Sequence, residues 1–400
     1  MKKLLKIFTI LGLGVLCYFL FEPVFHYPVG WKELPLQQDE KLHTLHTDTT
    51  LFKYDNMLES LFKKMDNPSL SIAVGYKGKV YWSNTIGYKD ISKKQQATEQ
   101  TQYRLGSTSK AVTSMGLSLL LEKKILQLSD TAGDYIPSLP ENLKNITVAQ
   151  LASHTSGIRN YRTCFCFPIW ETLNNDSYIN VDEALSIFKD DDLLFEPGTD
   201  FSYSSYNYTL LSAIMERAAE KDFTTFMKED VFERLHMNNT QAETERMDKN
   251  HLAFFYDIEK GFYKKSFTVN NSNKWAGGGF VSTPLDLVRM SNALMTTSFI
   301  SAETKSLIWT PINLTNGLVN NQNYALGWRS DITEKVSDRS TPIVHHAGVA
   351  NGSSSVLILF PEYEMSISIL TNNTNQVSEL FDIAYEFANT FIKDLSGDDY

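Results

Sequence analysis

Ser107 stands three residues before Lys110 in YRLGSTSKAVTSMGLSLLLEKK (Tyr103 to Lys124), where a small polar turn runs into an apolar helical pattern. A serine hydroxyl is a weak nucleophile at neutral pH and needs a neighbour to take its proton. Positions i and i+3 share a helix face, so Lys110 can point at Ser107 from one turn away. A lysine acts as a base only when neutral, which burial and the positive end of a helix both favour. The free backbone N–H groups of a helix start can also receive an oxyanion. The alternative for Ser107 is a helix N-cap beside a surface lysine. The spacing alone does not choose, because Ser186-Ile-Phe-Lys189 repeats it inside NVDEALSIFKDDD. There the acidic amphipathic pattern reads as a solvated helix face.

The elements around Ser107 follow from periodicity and turn residues. Leu51 to Met65 has helical spacing, and SLSIAVGYKGKVYWSNTIGY (Ser69 to Tyr88) reads as two strands joined at Lys77-Gly78. From Asp130 to about Asn270 the pattern is mainly helical. A Gly-rich turn, WAGGGFVSTP, then feeds a helix that begins after Pro284. Past Tyr324 strands return in YALGWRS, TPIVHHAG, SSSVLILF and MSISILTN, and an amphipathic helix from about Gln376 to Leu395 closes the chain. Strands at both ends with helices between predict an α+β fold: one sheet built from the two termini, carrying a helical insert. The domain spans 51–398, with a sheet part at about 51–129 and 280–398 and the insert at about 130–279.

Ahead of it, Lys2, Lys3 and Lys6 precede an apolar run from Ile7 to Phe21. That run lies between a signal-peptide core and the about 20 residues of a full span, and the missing small-x-small cleavage site favours an uncleaved anchor over a removed signal peptide in residues 1–27. Leu16 before Cys17 argues against a lipoprotein. With lysines on the N-terminal side only, the remainder is exported. Residues 28–50 are polar and aperiodic and read as a linker lifting the domain off the membrane.

A formal net charge of -10 argues against a nucleic-acid partner. The sequence has no zinc-type Cys/His spacing, phosphate loop or dinucleotide fingerprint, so no metal or cofactor is implied. Cys164 and Cys166, two apart, read as small apolar loop residues, since a bridge between them would be strained.

Several segments, in one order, resemble the serine β-lactamase and penicillin-binding-protein superfamily: Ser107-Thr-Ser-Lys110, LASHTSGI (Leu151 to Ile158), FEPGTDFSYSSYNYTLL (Phe195 to Leu211), WAGGGFVSTPLDLVRM, YALGW and His346-Ala-Gly348. The class C-like branch, and within it the mitochondrial serine β-lactamase-like proteins, is the nearest likeness, through SHTSGIRNY, KWAGGGF and GSSSVLILFPE. The resemblance implies a β-lactamase/transpeptidase-like fold and an acyl-enzyme hydrolase. Carried over residue by residue, Ser107 is the nucleophile, Lys110 its base and Tyr203 the proton relay. Backbone N–H groups of Ser107 and Val349, beside Gly348, would form the oxyanion hole, with Ser205 and His346 contacting substrate. His154 falls to structure.

Two departures stand out. The family's Tyr-x-Asn is here Tyr203-Ser-Ser205, whose shorter side chain reaches a substrate amide less well. His346 replaces a usual lysine, and losing a charge-assisted bond costs about 1.5–3 kcal/mol. Peptide, amide or ester substrates therefore fit better than β-lactams. The alternatives are a low-activity scaffold, with the self-assembly known of the mitochondrial relatives, or a β-lactam- or peptide-binding sensor that is acylated without turnover.

Overall fold

The computed structural model describes residues 1–35, 49–164, 166–337, 339–374 and 376–396. Most of the segment read as a linker therefore lies outside the described residues. Its start does not behave as a tether: Lys32–Glu33 pairs antiparallel with Phe262 and Tyr263, and the Leu34 N–H donates to the Gly261 carbonyl at 2.8 Å.

A seven-stranded antiparallel sheet forms the centre, in the order Arg329–Thr333, Thr341–Ala350, Ser353–Phe360, Met365–Thr371, Ser69–Tyr76, Lys79–Asp90 and Gln95–Gln96. The Met365–Thr371 and Ser69–Tyr76 strands join the two ends of the chain, pairing from Met365 with Tyr76 to Thr371 with Leu70. Lys77 and Gly78 both take positive φ (47° and 75°), as a tight two-residue hairpin turn demands.

Both faces of this sheet are covered, which explains why SSSVLILF lacks polar alternation. Val356, Ile358 and Phe360 enter one core with the helices Phe52–Phe62 and Val377–Ser396. Leu357 and Leu359 enter the other, with the Pro284–Met295 helix and the insert. Thr283 caps that helix, its hydroxyl accepting from the Asp286 N–H.

The insert is not helical throughout. It carries a hairpin, Tyr256–Glu259 with Phe262–Lys265, and its Ser205–Ala219 helix is fully buried from Ser205 to Met215. YALGW is not a strand: Tyr324 to Trp328 is buried, and the strand starts at Arg329. The cause is Gly327, at φ +90°, where a Cβ would lie 2.7 Å from the Lys110 carbonyl, so the chain turns tightly over the helix bearing Lys110. The Cys164 and Cys166 sulfurs are paired, correcting their reading as loop thiols. Their Cα atoms are 5.3 Å apart, inside the range a disulfide spans.

The Thr341–Ala350 strand docks its end on the turn before the Ser109–Glu122 helix. A Cβ on Gly348 would fall 1.9 Å from the Leu105 carbonyl oxygen and 2.8 Å from the Ser107 nitrogen. Gly348→Ala must push strand and turn apart, at a cost of about 1–3 kcal/mol. Thermal unfolding should show a midpoint lower by several degrees, together with loss of reactivity at Ser107. An unchanged midpoint would mean the strand and turn are not so closely joined.

Candidate active site

Ser107 lies in the 3-10 turn Gly106–Thr108, immediately before the helix Ser109–Glu122. Thr108, not Ser107, holds the N-cap position of that helix, and its side chain makes no capping bond. The Ser107 hydroxyl is therefore free for the residues facing it. Gly106 takes a positive φ of 51° and packs on the Val349 backbone.

Lys110 is fully buried, and its Nζ lies 2.6 Å from the Gly277 carbonyl, 3.2 Å from Ser205 Oγ and 3.3 Å from Ser107 Oγ. It also sits 4.7 Å from the centre of the Tyr203 ring. No carboxylate is among these neighbours. Burial, reinforced by the positive charges of Lys274 and Arg329, holds the amine well below the ordinary lysine value. A neutral amine carries two N–H groups and one lone pair. Gly277 and Ser205 can accept the two protons, which turns the lone pair to the Ser107 hydroxyl.

Tyr203 precedes the Ser205–Ala219 helix, and its phenol interacts with the Ser107 hydroxyl. Burial raises its pKa well above the usual tyrosine value, so it stays protonated at neutral pH. One group is thus kept unprotonated and the other protonated around the same oxygen, a pairing suited to general base and general acid.

Ser205 contacts Lys110 and lines the cleft, and its backbone N–H donates to Asn160 Oδ1 at 3.1 Å. Gly348 and Val349 sit against the Ser107 turn, with Val349 half-exposed on the cleft wall. His346 is placed differently from its expected substrate contact. It is 2% exposed, Nδ1 donates to the Ala347 carbonyl at 2.8 Å, and Nε2 accepts from the Tyr324 hydroxyl at 2.9 Å. Burial keeps it well below the usual histidine value, so it is a neutral strut behind the site. His154 plays a similar part, buried 4.2 Å from the Tyr203 ring. The second Ser-x-x-Lys is inert in its geometry: the helix stops at Leu185, and Ser186 Oγ donates to the Glu183 carbonyl.

The cleft above Ser107 has a volume of about 260 Å³ and includes Tyr161, Thr172, Asn271 and Lys274. Nothing in the sequence pattern singles out Lys274, although it opens the KWAGGGF segment. Lys274 Nζ donates to the Thr172 carbonyl at 3.3 Å and lies 5.3 Å from the Tyr161 ring centre. The nearby Glu243 is taken by Arg104 through bonds of 2.7–3.1 Å, so it offsets the Lys274 charge only in part. Burial lowers its pKa to about 8. Arg329, also missed, lies 5.9 Å from the Tyr203 ring centre.

Lys274 is a cation below about pH 8 and helps keep Lys110 neutral. Lys274→Met removes that repulsion, so the Lys110 pKa rises. The acidic limb of Ser107 labelling by a fluorophosphonate should move to higher pH by roughly one unit, the size of one like charge at an effective dielectric near 20. A limb that stays in place would exclude Lys274 as a determinant of the base.

A model of the Beta-lactamase family matches residues 55–388. The mitochondrial serine beta-lactamase-like protein LACTB of Bos taurus is 27% identical over 420 residues, covering 82% of this chain and 75% of its own. Penicillin-binding protein 4* of Bacillus subtilis is 28% identical over 312 residues, with 74% and 66% covered. Among solved structures, the octameric penicillin-binding protein homologue from Pyrococcus abyssi superposes with a TM-score of 0.68 at 20% identity, covering 87% of this chain and 78% of its own. The D-amino acid amidase from Ochrobactrum anthropi superposes with a TM-score of 0.70 at 18% identity, covering 85% and 98%. The family match spans the sheet, the insert and every segment around Ser107, and the chain belongs to the Beta-lactamase family.

Proposed function

We propose that this protein is a membrane-anchored, exported serine hydrolase that works through an acyl-enzyme on Ser107, with peptide or other amide bonds as its substrates and esters as easier ones. The observation that carries this reading is the buried Lys110 amine, with no carboxylate partner, 3.3 Å from Ser107 Oγ.

The steps follow from the protonation states. Lys110 takes the proton as Ser107 Oγ attacks the carbonyl, and the N–H groups of Ser107 and Val349 receive the oxyanion. Tyr203 gives its proton to the leaving amine and is reprotonated from Lys110. Water then attacks the ester by the reverse route and frees Ser107. A neutral His346 offers no cation to grip a β-lactam carboxylate, which disfavours efficient β-lactamase or carboxypeptidase action.

The Lys2–Leu20 helix supports the anchor. None of its residues is buried, and its most apolar stretch has a mean hydropathy of 1.9. At 1.5 Å per residue it is about 28 Å long, close to the hydrocarbon thickness of about 30 Å. The Cys164–Cys166 pair supports export, since disulfides persist in oxidising compartments. The octameric relative from Pyrococcus abyssi gives self-association some footing as a second property of this chain.

Ser107→Ala should abolish labelling by a fluorophosphonate and hydrolysis of a peptide anilide, whereas Ser186→Ala should leave both intact. Tyr203→Phe should lower kcat/KM by about 10²–10⁴, the usual contribution of a positioned proton donor. Adducts that form at another serine, or turnover that survives Ser107→Ala, would reject the acyl-enzyme and leave the scaffold reading.

A further inference from the structure

The stretch after the apolar helix is fastened to the domain at once. The Ile169 N–H donates to the Leu20 carbonyl at 3.1 Å, and the Phe21 and Trp170 rings meet at 6.0 Å. His26 Nε2 donates to the Lys265 carbonyl at 3.1 Å, and its ring packs on Phe267 at 5.7 Å. Lys264 Nζ donates to the carbonyls of His26 and Tyr27 (3.1 and 2.9 Å) beneath the Tyr27 and Trp31 rings. Tyr27 donates to Glu259 at 2.6 Å, and the Lys32–Glu33 strand completes the attachment.

These contacts fall on both rims of the Ser107 cleft. Ile169 and Trp170 belong to the loop that supplies Tyr161, Thr172 and Leu173 to the cleft wall. That loop folds back on itself through the Cys164 N–H to the Ile169 carbonyl and the Glu171 N–H to the Arg162 carbonyl. Phe267 precedes the wall residue Val269 by two positions, and its carbonyl accepts from Asn351, another wall residue. The helix end is therefore joined to the mouth of the cleft and not to a remote face.

We propose that the Leu20–Leu34 segment clamps the two rims so that the cleft opens directly at the bilayer surface, and that the enzyme takes its acyl groups from molecules held in that bilayer. The inference rests on the anchor reading above. The occupant of the face is lipid, because the apolar surface is continuous with the spanning helix. Val24 and Phe25 on the exit segment and Phe262 on the attached hairpin are large, apolar and exposed. Tyr27 and Trp31 beside them are the ring types that settle at the membrane–water boundary. A domain raised on a free linker would need neither the rim contacts nor this apolar collar. Substrates anchored in the same leaflet then meet the cleft by diffusion in two dimensions, at a raised effective concentration.

The test uses the full chain in phosphatidylcholine vesicles. Flotation with the vesicles comes first: a chain that stays behind rejects the anchor, and this proposal with it. For a chain that floats, Phe262→Trp and Ile125→Trp are compared with the parent in vesicles containing brominated phosphatidylcholine. Ile125 lies beyond the far end of the helix that begins beside Ser107, about 20 Å along its axis. More than half of the added emission from Phe262→Trp should be quenched, and almost none of that from Ile125→Trp. Equal quenching, or none for Phe262→Trp, overturns the placement while the anchor stands.

A second measurement addresses the substrate. A peptide anilide carrying a palmitoyl tail should be cleaved with a kcat/KM at least about tenfold above its untailed counterpart, from the gain in effective concentration. The Tyr27→Phe, Lys264→Met double variant should lose that preference and keep its rate on the untailed compound. Equal rates for the two compounds overturn the substrate assignment. Cleavage of neither rejects the hydrolase reading, with quenching still deciding where the cleft faces.

Discussion

Everything at the site depends on keeping an amine uncharged inside the protein. Transfer of an ammonium from water into an apolar interior is costly unless a counter-ion accompanies it. Lys110 has a carbonyl, two hydroxyls and two aromatic faces around it, and none supplies a full negative charge. The amine responds by giving up its proton, and the same environment that makes it a poor cation makes it a base. Lys274 and Arg329 add repulsion from two further segments. The insert and the sheet must close on each other for this to hold, because Gly277 and Ser205 come from one and Ser107 from the other.

The glycines show how tightly the fold is drawn to meet that need. Gly348 leaves no room for a Cβ against the turn carrying Ser107, and Gly327 packs directly on the carbonyl of Lys110 itself. His346 and His154 fill the space behind Tyr203 as neutral rings, so neither adds charge beside the amine. A charged residue at either place would alter the base before it touched any substrate. His346, a neutral ring in place of a lysine, therefore bears on the proton chemistry.

Much of this was legible in the chain itself. The hairpin at Lys77-Gly78, the strands closing the sheet and the capped Pro284 helix each have a local signal, and the structure has them where that signal falls. Ser107, Lys110, Tyr203 and Ser205 stand out in the sequence because the motif order constrains them jointly. What escaped was set by contacts distant in sequence. Lys274 gains its role only when its segment packs beside Thr172 and Tyr161, and His346 is withdrawn by Tyr324, which no spacing rule connects to it. Ser107 and Ser186 have the same spacing to a lysine, and burial and local helix geometry separate them. The attachment of Leu20–Leu34 was hidden for the same reason: its partners lie more than a hundred residues away, and a polar, aperiodic stretch reads as a linker whatever it touches.

The most direct test of the central claim is to titrate the Lys110 amine itself, by NMR of lysine labelled at the ε-carbon, with Lys110→Met identifying its signal. The amine should be neutral at pH 7, titrating far below the about 10.4 of a free lysine. A Lys110 that titrates near the free value would be an ordinary cation, and the base beside Ser107 would not exist.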